Sequence, residues 1–427
     1  MLRCFANNRV LLLQGPMGPF FRRMKRALEA SGATVFKINF CGGDALFYPT
    51  GATPYLGDLE SWPAFFGEFI DTHRIDTVLL FGDCRPHHAA AGRVARARGL
   101  SIYVFEEGYL RPDYVTVEDG GANSYSSLPR DPEVFRRFSP HPSARHQPLR
   151  VRHAFGWSAL YASLYTVAKF LMGWRYRRYR HHRSLNPGHE IVVWARAAAR
   201  KLLYRVSERG LLDTLTGPLS GGYYLVPLQV HGDAQISVHS PFDSVPDFID
   251  AVLASFAAHA PADRLLVLKH HPLDRGYHDY TRLVERLTAE HGLDGRVLYV
   301  HDLHLPRLLD HAAGTVVINS TVGLSSVHHG TPVHVLGDAI YNIPGLAHQG
   351  TLAAFWSDPG EPDMALYRNF RAWLCAYNQA NGNFYAPLAE YAESAGLRWP
   401  PLFPAPGDAK QAAGAVDDDS VPRQASV

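Results

Sequence analysis

Short apolar runs alternate with stretches of helical periodicity along the first hundred residues. The runs are rich in β-branched and aromatic residues, which is typical of buried parallel strands, and they cover 9–13, 34–38, 77–81 and 102–105. The stretches between them, 20–31, 62–73 and 87–99, repeat apolar residues at helical spacing, and glycine lies at or near the end of the first and last. This alternation predicts an α/β domain.

The same alternation returns after Gly222 and predicts a second α/β domain. Its predicted strands are 223–229, 264–269, 297–300, 315–318 and 332–336, and its predicted helices are 246–258, 280–291, 303–311 and 321–329. We therefore expect one domain over 1–215, a second over 216–403 and a tail over 404–427. The tail is rich in Pro, Ala, Gly and Asp without periodicity, which predicts disorder.

Two α/β domains predict a ligand site in the cleft between them, because such sheets bind ligands at the carboxyl ends of their strands. Polar residues do follow the predicted strands of the first domain. They are Gln14 and Gly15 after the first strand, Asp83 and Arg85 after the third, and Glu106, Glu107 and Arg111 after the fourth.

Glu106 and Glu107 are adjacent, and adjacent side chains of an extended chain point to opposite faces. One is a candidate acid or base in the cleft, and the other is expected to cap a helix or to pair with Arg85 or Arg111. A structural ion pair is the alternative for both. The Gly/Pro-rich loop after the first strand lacks the residues of a P-loop, so a tight turn explains it as well as an anion site does.

The second domain carries a comparable set of polar residues. Asn319 and Ser320 lie at a predicted helix start, where N–H groups and hydroxyls form an anion site, and ordinary capping is the alternative. His271 precedes a proline, which keeps it extended at a strand end. The set is Gln229, Asp233, Lys269, His271, Asn319, Ser320, Thr321 and Ser325.

Composition excludes several classes of protein. The chain has 427 residues, of which 46% are hydrophobic and 19% charged, so it is neither a peptide hormone nor a disulfide scaffold. Its four cysteines are far apart, without the spacing of a zinc site or redox motif. The apolar run at the N-terminus is too short for a signal peptide, so we expect a cytoplasmic protein.

Charge is unevenly distributed although the formal net charge is only +2. Residues 134–189 contain eleven Lys and Arg, Arg145 and Arg183 among them, and no Asp or Glu. Within this segment, 155–174 is apolar and aromatic, and an arginine-rich run follows it. The combination is typical of a helix that lies on an anionic membrane surface. The predicted membrane contacts are Trp174, Arg175, Arg177, Arg178 and Arg180.

This segment has three alternative interpretations: a transmembrane helix, a helical insertion packed on the first domain, and an RNA-binding tract. Lys169 and several polar residues within 155–174, and the absence of a second span, argue against a transmembrane helix. A helical insertion over about 134–210 that packs on the first domain, with its arginines solvated, is the structural alternative. Arginine-rich aromatic tracts also bind RNA, but nothing else in the chain resembles a nucleic-acid module.

Seven segments resemble, in their order and number, the KpsS/LipB family of bacterial capsule biosynthesis, the β-Kdo glycosyltransferases. They are LLLQGPMGPFFRRM, CGGDALFYP, FGDCRPHH, FEEGYLRPDY, VPLQVHGDAQI, KHHP and INSTVGLSSVHHGTPV. They span about 10–335, most of the expected folded chain. The resemblance implies a GT-B-type glycosyltransferase with two Rossmann-like domains facing a cleft and a basic helical insertion. The first domain would then serve the acceptor and the second the CMP-sugar donor.

The resemblance also implies the reaction. A retaining transferase of this kind moves the first β-Kdo from CMP-Kdo to phosphatidylglycerol or lysophosphatidylglycerol, which starts the poly-Kdo linker of a capsular polysaccharide. The expected partners are the anionic cytoplasmic face of the inner membrane and other capsule biosynthesis and export proteins, without nucleic acid. No metal or other cofactor is expected, and no predicted strand ends in a DxD-like acidic pair.

The family is similar to bacterial sialyltransferases, whose acidic-acidic-Gly and His-Pro motifs match Glu106-Glu107-Gly108 and His271-Pro272. By this resemblance Asp233 is the nucleophile, and Glu107 and His271 complete the catalytic set. An Asx turn is the alternative for Asp233. The residues implied for donor binding are Gln229, Lys269, Asn319, Ser320, Thr321 and Ser325, and those for the acceptor or cleft are Gln14, Gly15, Asp83, Arg85, Glu106 and Arg111.

Two functions from other classes stay open. A non-catalytic capsule export or assembly factor would keep the fold without binding CMP. A sialyltransferase-like enzyme with a carbohydrate acceptor would use CMP-sialic acid without depending on lipid.

Overall fold

The computed structural model describes residues 2–139, 148–181, 186–404 and 406. Almost all of the predicted disordered tail, and both Arg145 and Arg183, therefore lie outside the described residues.

Thirteen strands and fifteen α-helices make up the described chain. The strands are β1 (Arg9–Leu12), β2 (Thr34–Asn39), β3 (Thr53–Pro54), β4 (Thr77–Phe81), β5 (Ser101–Glu107), β6 (Tyr114–Asp119), β7 (Tyr223–Pro227), β8 (Leu265–Lys269), β9 (Val297–Val300), β10 (Gly314–Val317), β11 (Val333–Val335), β12 (Gln379–Gly382) and β13 (Leu397–Arg398). The helices are α1 (Phe20–Ala30), α2 (Gly42–Phe47), α3 (Trp62–Thr72), α4 (Pro86–Ala97), α5 (Pro132–Arg136), α6 (Ala154–Leu171), α7 (Pro187–Ser207), α8 (Leu211–Thr216), α9 (Ala234–His239), α10 (Val245–His259), α11 (Thr281–Glu290), α12 (Leu305–His311), α13 (Thr321–His328), α14 (Leu352–Ser357) and α15 (Met364–Tyr377).

The strands form two sheets with the same parallel core. The first sheet has the order β13-β12-β6-β5-β4-β1-β2-β3, and β1 to β5 within it are parallel. The second has the order β11-β10-β7-β8-β9 and is parallel throughout. Each core follows the Rossmann order 3-2-1-4-5. The predicted fold class, two Rossmann-like α/β domains with a helical insertion between them, is confirmed.

The predicted strands and helices of both cores are present with small shifts at their ends. The antiparallel edge of the first sheet was not predicted. The strand β6 pairs with β5, and β12 returns from the far end of the chain to pair with β6. The segment 216–403 therefore does not belong wholly to the second domain, in contrast to the predicted division. The sequence of β12 shows no alternation of apolar residues, so the pattern did not predict this strand. The Gln379 side-chain amide links β12 to β6 by donating to Thr116 Oγ1 at 2.9 Å.

An apolar cluster joins the two domains. Tyr109, Leu110 and Phe135 of the first domain pack with Leu324 of α13 and Phe370 of α15, all of them buried. Helix α15 leads directly into β12, so the chain crosses between the domains at this cluster. The packing holds the carboxyl ends of the two parallel sheets close to each other.

The insertion consists of α6 and α7, which lie on different domains. Helix α6 packs on α2, where Gly42 and Gly43 allow close approach: a methyl group on Gly42 would lie 2.3 Å from the Ala168 carbonyl oxygen. Helix α7 packs on the second domain, although the insertion was predicted as part of the first. Among the described helices, none is long and apolar enough to cross a membrane.

Replacing Gly43 with Ala should weaken the packing of α6 on α2. The new methyl group would lie 2.5 Å from the Tyr165 ring, and overpacking of this kind costs about 1–3 kcal/mol. Urea denaturation measures the loss. The matched control is Gly156→Ala on α6, which meets nothing within 4 Å and should stabilise the helix by up to about 1 kcal/mol. Equal effects of the two substitutions would contradict this packing.

Candidate active site in the interdomain cleft

The short helix α9 of the second domain reaches across the cleft to the first domain. Its last residue, His239, has Nε2 3.1 Å from Cys84 Sγ, in the loop after β4. The other ring nitrogen of His239 is hydrogen-bonded to Ser124 Oγ, and its ring lies 4.9 Å from that of Tyr125. Burial lowers the pKa of His239, so its imidazole is neutral at pH 7. This bridge places the start of α9 at the cleft.

Asp233 begins α9 and connects two strand ends of the second domain. Its Oδ1 accepts the Gln235 backbone N–H at 3.0 Å, which is an N-cap. Its Oδ2 accepts the Gln229 amide at 3.3 Å, and the same amide donates to Asn319 Oδ1 at 3.0 Å. Three predicted site residues, Gln229, Asp233 and Asn319, are thus brought together.

Burial raises the pKa of the Cys84 thiol, and the nearby acidic side chains of Asp83, Glu106 and Asp233 raise it further. Burial, with Asp83 close by, raises the pKa of Glu106 to about 8, although Arg85 opposes the shift. Glu106 therefore holds its proton at pH 7. Such a perturbed acid in a cleft is typical of a functional site.

The charge of Arg111 acts on both Glu107 and His271. Glu107 forms an ion pair with Arg111 at 3.5 Å, so the expected division of the two glutamates is observed. Burial, with the positive charges of Lys269 and Arg111, lowers the pKa of His271 to about 4. His271 Nδ1 accepts the Leu273 N–H at 3.2 Å. The imidazole is neutral at pH 7 and its Nε2 carries the proton, so it can donate one hydrogen bond.

A small pocket lies between the domains at the start of α13, with free space of about 20 Å³, which is room for about one water molecule. Tyr341 packs so tightly on α13 that a methyl group on Gly323 would lie 2.1 Å from its hydroxyl. The lining residues are Tyr109 and Asn123 from the first domain, and Asn319, Thr321, Leu324, Asp338, Ala339, Ile340 and Tyr341 from the second.

Three predicted donor residues make structural contacts. Lys269 is buried and its Nζ donates to the His301 carbonyl at 3.0 Å. Ser320 caps α13 by accepting the Val322 N–H at 3.2 Å, which is the capping alternative named for it. The Ser325 hydroxyl donates to the Thr321 carbonyl one turn earlier.

Gln14 lies behind the cleft, not in it. Its amide N–H groups donate to Asp44 at 3.1 Å and to the Tyr165 hydroxyl at 3.0 Å. Its Oε1 accepts from Arg85 at 3.0 Å and from the Tyr179 hydroxyl at 3.1 Å. All four partners belong to the first domain or the insertion. The neighbouring Gly15 packs on Phe21, since a methyl group would lie 2.9 Å from that ring.

Sequence reasoning missed several residues that shape the site. His239 is one of 23 histidines and no motif marks it. Tyr109 follows the predicted strand β5 but was not singled out, and Asn123 follows β6 of the antiparallel edge, which was itself missed. The segment 338–341 follows β11 and could have been found by the rule that ligands bind at strand ends. Among the described residues, no group of three or more His, Cys, Asp or Glu is placed to hold a metal ion.

Comparison with known proteins gives a consistent result. A family described as capsule polysaccharide biosynthesis protein matches residues 76–385. The capsule polysaccharide export protein KpsS of Escherichia coli is 44% identical over 393 residues, which are 89% of this chain and 97% of that protein. The capsule polysaccharide modification protein LipB of Neisseria meningitidis serogroup B is 42% identical over 89% of this chain and 92% of its own.

A solved structure, the KpsC β-Kdo 2,7 transferase of Thermosulfurimonas dismutans, is 15% identical over 91% of this chain and 98% of its own, with a TM-score of 0.42.

Replacing Glu106 with Gln should stabilise the protein more at pH 8 than at pH 5. The pKa of Glu106 is about 8 in the fold and 4.5 ordinarily, so the free energy of unfolding falls as the pH rises between these values and levels off above 8. The introduced amide does not ionise, so the free energy of unfolding of the variant, relative to that of wild type, increases by about 2–4 kcal/mol between pH 5 and pH 8. Denaturation at pH 5, 6.5 and 8 measures it. The control is Glu107→Gln, and the same pH dependence in both variants would refute the burial of Glu106.

Proposed function

The chain belongs to the family of capsule polysaccharide biosynthesis proteins, and we propose that it is a retaining glycosyltransferase. It transfers the first β-Kdo from CMP-Kdo to phosphatidylglycerol or lysophosphatidylglycerol and so starts the poly-Kdo linker of a capsular polysaccharide. The observation that carries this proposal is the contact across the cleft between Cys84, whose thiol lies 3.4 Å from Asp83, and His239 at the end of the helix that Asp233 begins. Retaining glycosyl transfer needs a nucleophilic carboxylate and a second acid or base.

In the first step Asp233 attacks the anomeric carbon of Kdo, and CMP leaves with the bonding electron pair. The product is a glycosyl ester of Asp233 with inverted configuration. Hydrogen bonds from Gln235 N–H and the Gln229 amide hold one lone pair of each carboxylate oxygen. They orient the nucleophile and leave its other lone pairs available.

In the second step a hydroxyl of the lipid glycerol attacks the same carbon, and Asp233 leaves as a carboxylate. The second inversion restores the configuration of the donor. A base must take the hydroxyl proton, and Glu107 was predicted for this role. The ion pair of Glu107 with Arg111 and the raised pKa of Glu106 favour Glu106 instead. Glu106 gives its proton to the departing phosphate in the first step, and the resulting carboxylate takes the hydroxyl proton in the second. A base with a pKa near the working pH is suited to proton transfer.

We place the donor on the second-domain side of the cleft, where the backbone N–H groups at the start of α13, beside Asn319 and Thr321, favour a phosphate. The neutral His271 can donate a hydrogen bond to an anion, and Arg111 adds a positive charge beside it. A monophosphate leaving group needs no cation clamp, so the proposal includes no metal.

The acceptor reaches the enzyme at the cytoplasmic face of the inner membrane. Four arginines that follow α6, and Trp174, are exposed, while Tyr176 is buried and Tyr179 donates to Gln14. The aromatic residues of the run thus anchor it to the first domain, and the arginines project outward. They are Arg175, Arg177, Arg178 and Arg180. Such an array suits anionic lipid headgroups.

Asp233→Asn should abolish transfer with the fold intact. Asparagine caps helices as well as aspartate does, but its amide cannot form the glycosyl ester, so we expect a loss of about a thousandfold or more. Mass spectrometry of a fluorescent phosphatidylglycerol incubated with CMP-Kdo measures the product. Asp363→Asn is the matched control, because Asp363 caps α15 through the N–H groups of Ala365 and Leu366, both at 2.9 Å.

Each outcome of this experiment favours one function. A lipid heavier by one Kdo with wild type and with Asp363→Asn, and its absence with Asp233→Asn, supports the proposal. No product from folded wild type, and no CMP binding, favours an export or assembly factor, the role that the name of the E. coli relative describes. Transfer from CMP-sialic acid to a carbohydrate would favour the sialyltransferase-like alternative. Full activity of Asp233→Asn would remove Asp233 from the mechanism.

Replacing the four arginines after α6 with Gln should weaken binding to anionic vesicles. Each charge near such a surface contributes about 1 kcal/mol, and binding to neutral vesicles should not change. Vesicle co-sedimentation measures both. The control variant replaces four exposed arginines elsewhere, Arg26, Arg93, Arg282 and Arg368. Equal losses in the two variants would show that only the total charge matters and would contradict docking through this segment.

A further inference from the structure

One face of α7 is firmly attached to the second domain. The Arg200 guanidinium donates to the carbonyls of Arg275 and His278 at 2.7 and 3.0 Å and pairs with Asp279 at 3.1 Å. The Tyr204 ring stacks on His301, with 3.6 Å between the ring centroids. At the end of the helix, the Glu208 carboxylate accepts the backbone N–H groups of His301 and Asp302. The polar face of α7 thus lies against protein.

The opposite half of α7 is exposed and carries six large apolar side chains together with Arg205. At 3.6 residues per turn, six large side chains occupy one half of the helix surface, and Val206 is 74% exposed. This is the reverse of an ordinary surface helix, whose apolar stripe faces the core. The six are Ile191, Val192, Trp194, Leu202, Leu203 and Val206.

Helix α6 continues this apolar surface. It contacts α7, and seven of its large apolar side chains are exposed although Tyr165, Ala168 and Met172 pack on α2. The seven are Phe155, Trp157, Leu160, Leu164, Val167, Phe170 and Leu171. We call these thirteen side chains the two-helix surface. Contiguous apolar patches of this extent mark interaction sites.

The charges beside the two-helix surface indicate what covers it. The four exposed arginines directly follow α6, and none of them forms an ion pair within the described part of the chain. No acidic residue lies between 134 and 189. Trp157, Trp174 and Trp194 are exposed as well, and tryptophan prefers the membrane–water interface. An apolar face with arginine and tryptophan beside it fits an anionic bilayer.

We propose that α7 enters the same anionic bilayer surface as α6, so that each domain is held on the membrane by its own helix. This proposal rests on the proposed function in taking a membrane lipid as the acceptor. Because α6 is attached to the first domain and α7 to the second, the bilayer restrains both sides of the cleft at once. A lipid headgroup then enters the cleft between two anchored domains.

The test removes the apolar face of α7 alone. The triple variant Ile191→Ser, Leu203→Ser and Val206→Ser should bind vesicles of phosphatidylcholine and phosphatidylserine at least ~10-fold more weakly than wild type, because the buried apolar area on this helix is lost. The matched control replaces three exposed leucines outside the insertion, Leu56, Leu59 and Leu402, with Ser. Circular dichroism confirms that both variants are folded.

Tryptophan quenching by brominated lipid gives a second, local measurement. In a Trp157→Phe, Trp174→Phe background, Trp194 is the remaining exposed tryptophan of the two-helix surface. Vesicles with brominated acyl chains should quench it, and the quenching should disappear in a Trp194→Phe variant. Unquenched Trp194, together with unchanged vesicle binding of the triple variant, would overturn the proposal. A dimer that the triple variant converts to a monomer, seen by light scattering, would also overturn it, because a second copy would then cover the face.

A soluble acceptor separates this proposal from the proposed function. Transfer to short-chain phosphatidylglycerol requires no vesicle, and the vesicles above contain neither the acceptor nor the donor. Vesicle binding through α7 without any transfer would support the two-helix surface and refute the proposed function. Transfer to the soluble lipid without a contribution of α7 to vesicle binding would support the proposed function and refute the role of α7 in membrane binding.

Discussion

The N–H groups and the oxygen of the Gln14 side-chain amide are all hydrogen-bonded, and these bonds join elements of the first domain to the insertion. A buried amide offers two donors and an acceptor, and here Asp44 and Tyr165 occupy the donor side, while Arg85 and Tyr179 occupy the acceptor side. Leaving such a group unpaired costs about 1–3 kcal/mol. The amide therefore has one good orientation, and its partners are positioned accordingly.

This network connects the insertion to the cleft. Tyr165 lies on α6 and Tyr179 in the arginine-rich run, so both ends of the membrane-facing segment reach Gln14. On the other side Arg85 stands beside Glu106 and opposes the rise of its pKa. The surface that we propose to bind lipid and the carboxylate that we propose to move a proton thus share one set of buried hydrogen bonds.

Desolvation determines the charge states in the cleft. Burial raises the pKa of Glu106 to about 8 and lowers that of His271 to about 4, so both groups are neutral at pH 7. Asp233 is oriented by hydrogen bonds instead, because it caps α9 through the Gln235 N–H and accepts the Gln229 amide. The cleft therefore holds one carboxyl group whose pKa is raised by burial and another whose side chain is held in place by its neighbours.

The sequence by itself determined the two parallel cores and the strand ends at which polar residues gather, because buried parallel strands require uninterrupted apolar runs. It also determined that α6 is apolar and that arginines follow it. Only the tertiary structure decided that Gln14 is held by four side chains of the first domain and the insertion, that Glu107 is the member of its pair that binds Arg111, and that α7 turns its apolar side chains outward. Side-chain alternation separates two neighbours on a strand, but which face is buried depends on the elements packed against it. The polar side of α7 packs on the second domain. Helical periodicity shows which side chains share a face, but it does not show which face packs against a neighbouring element.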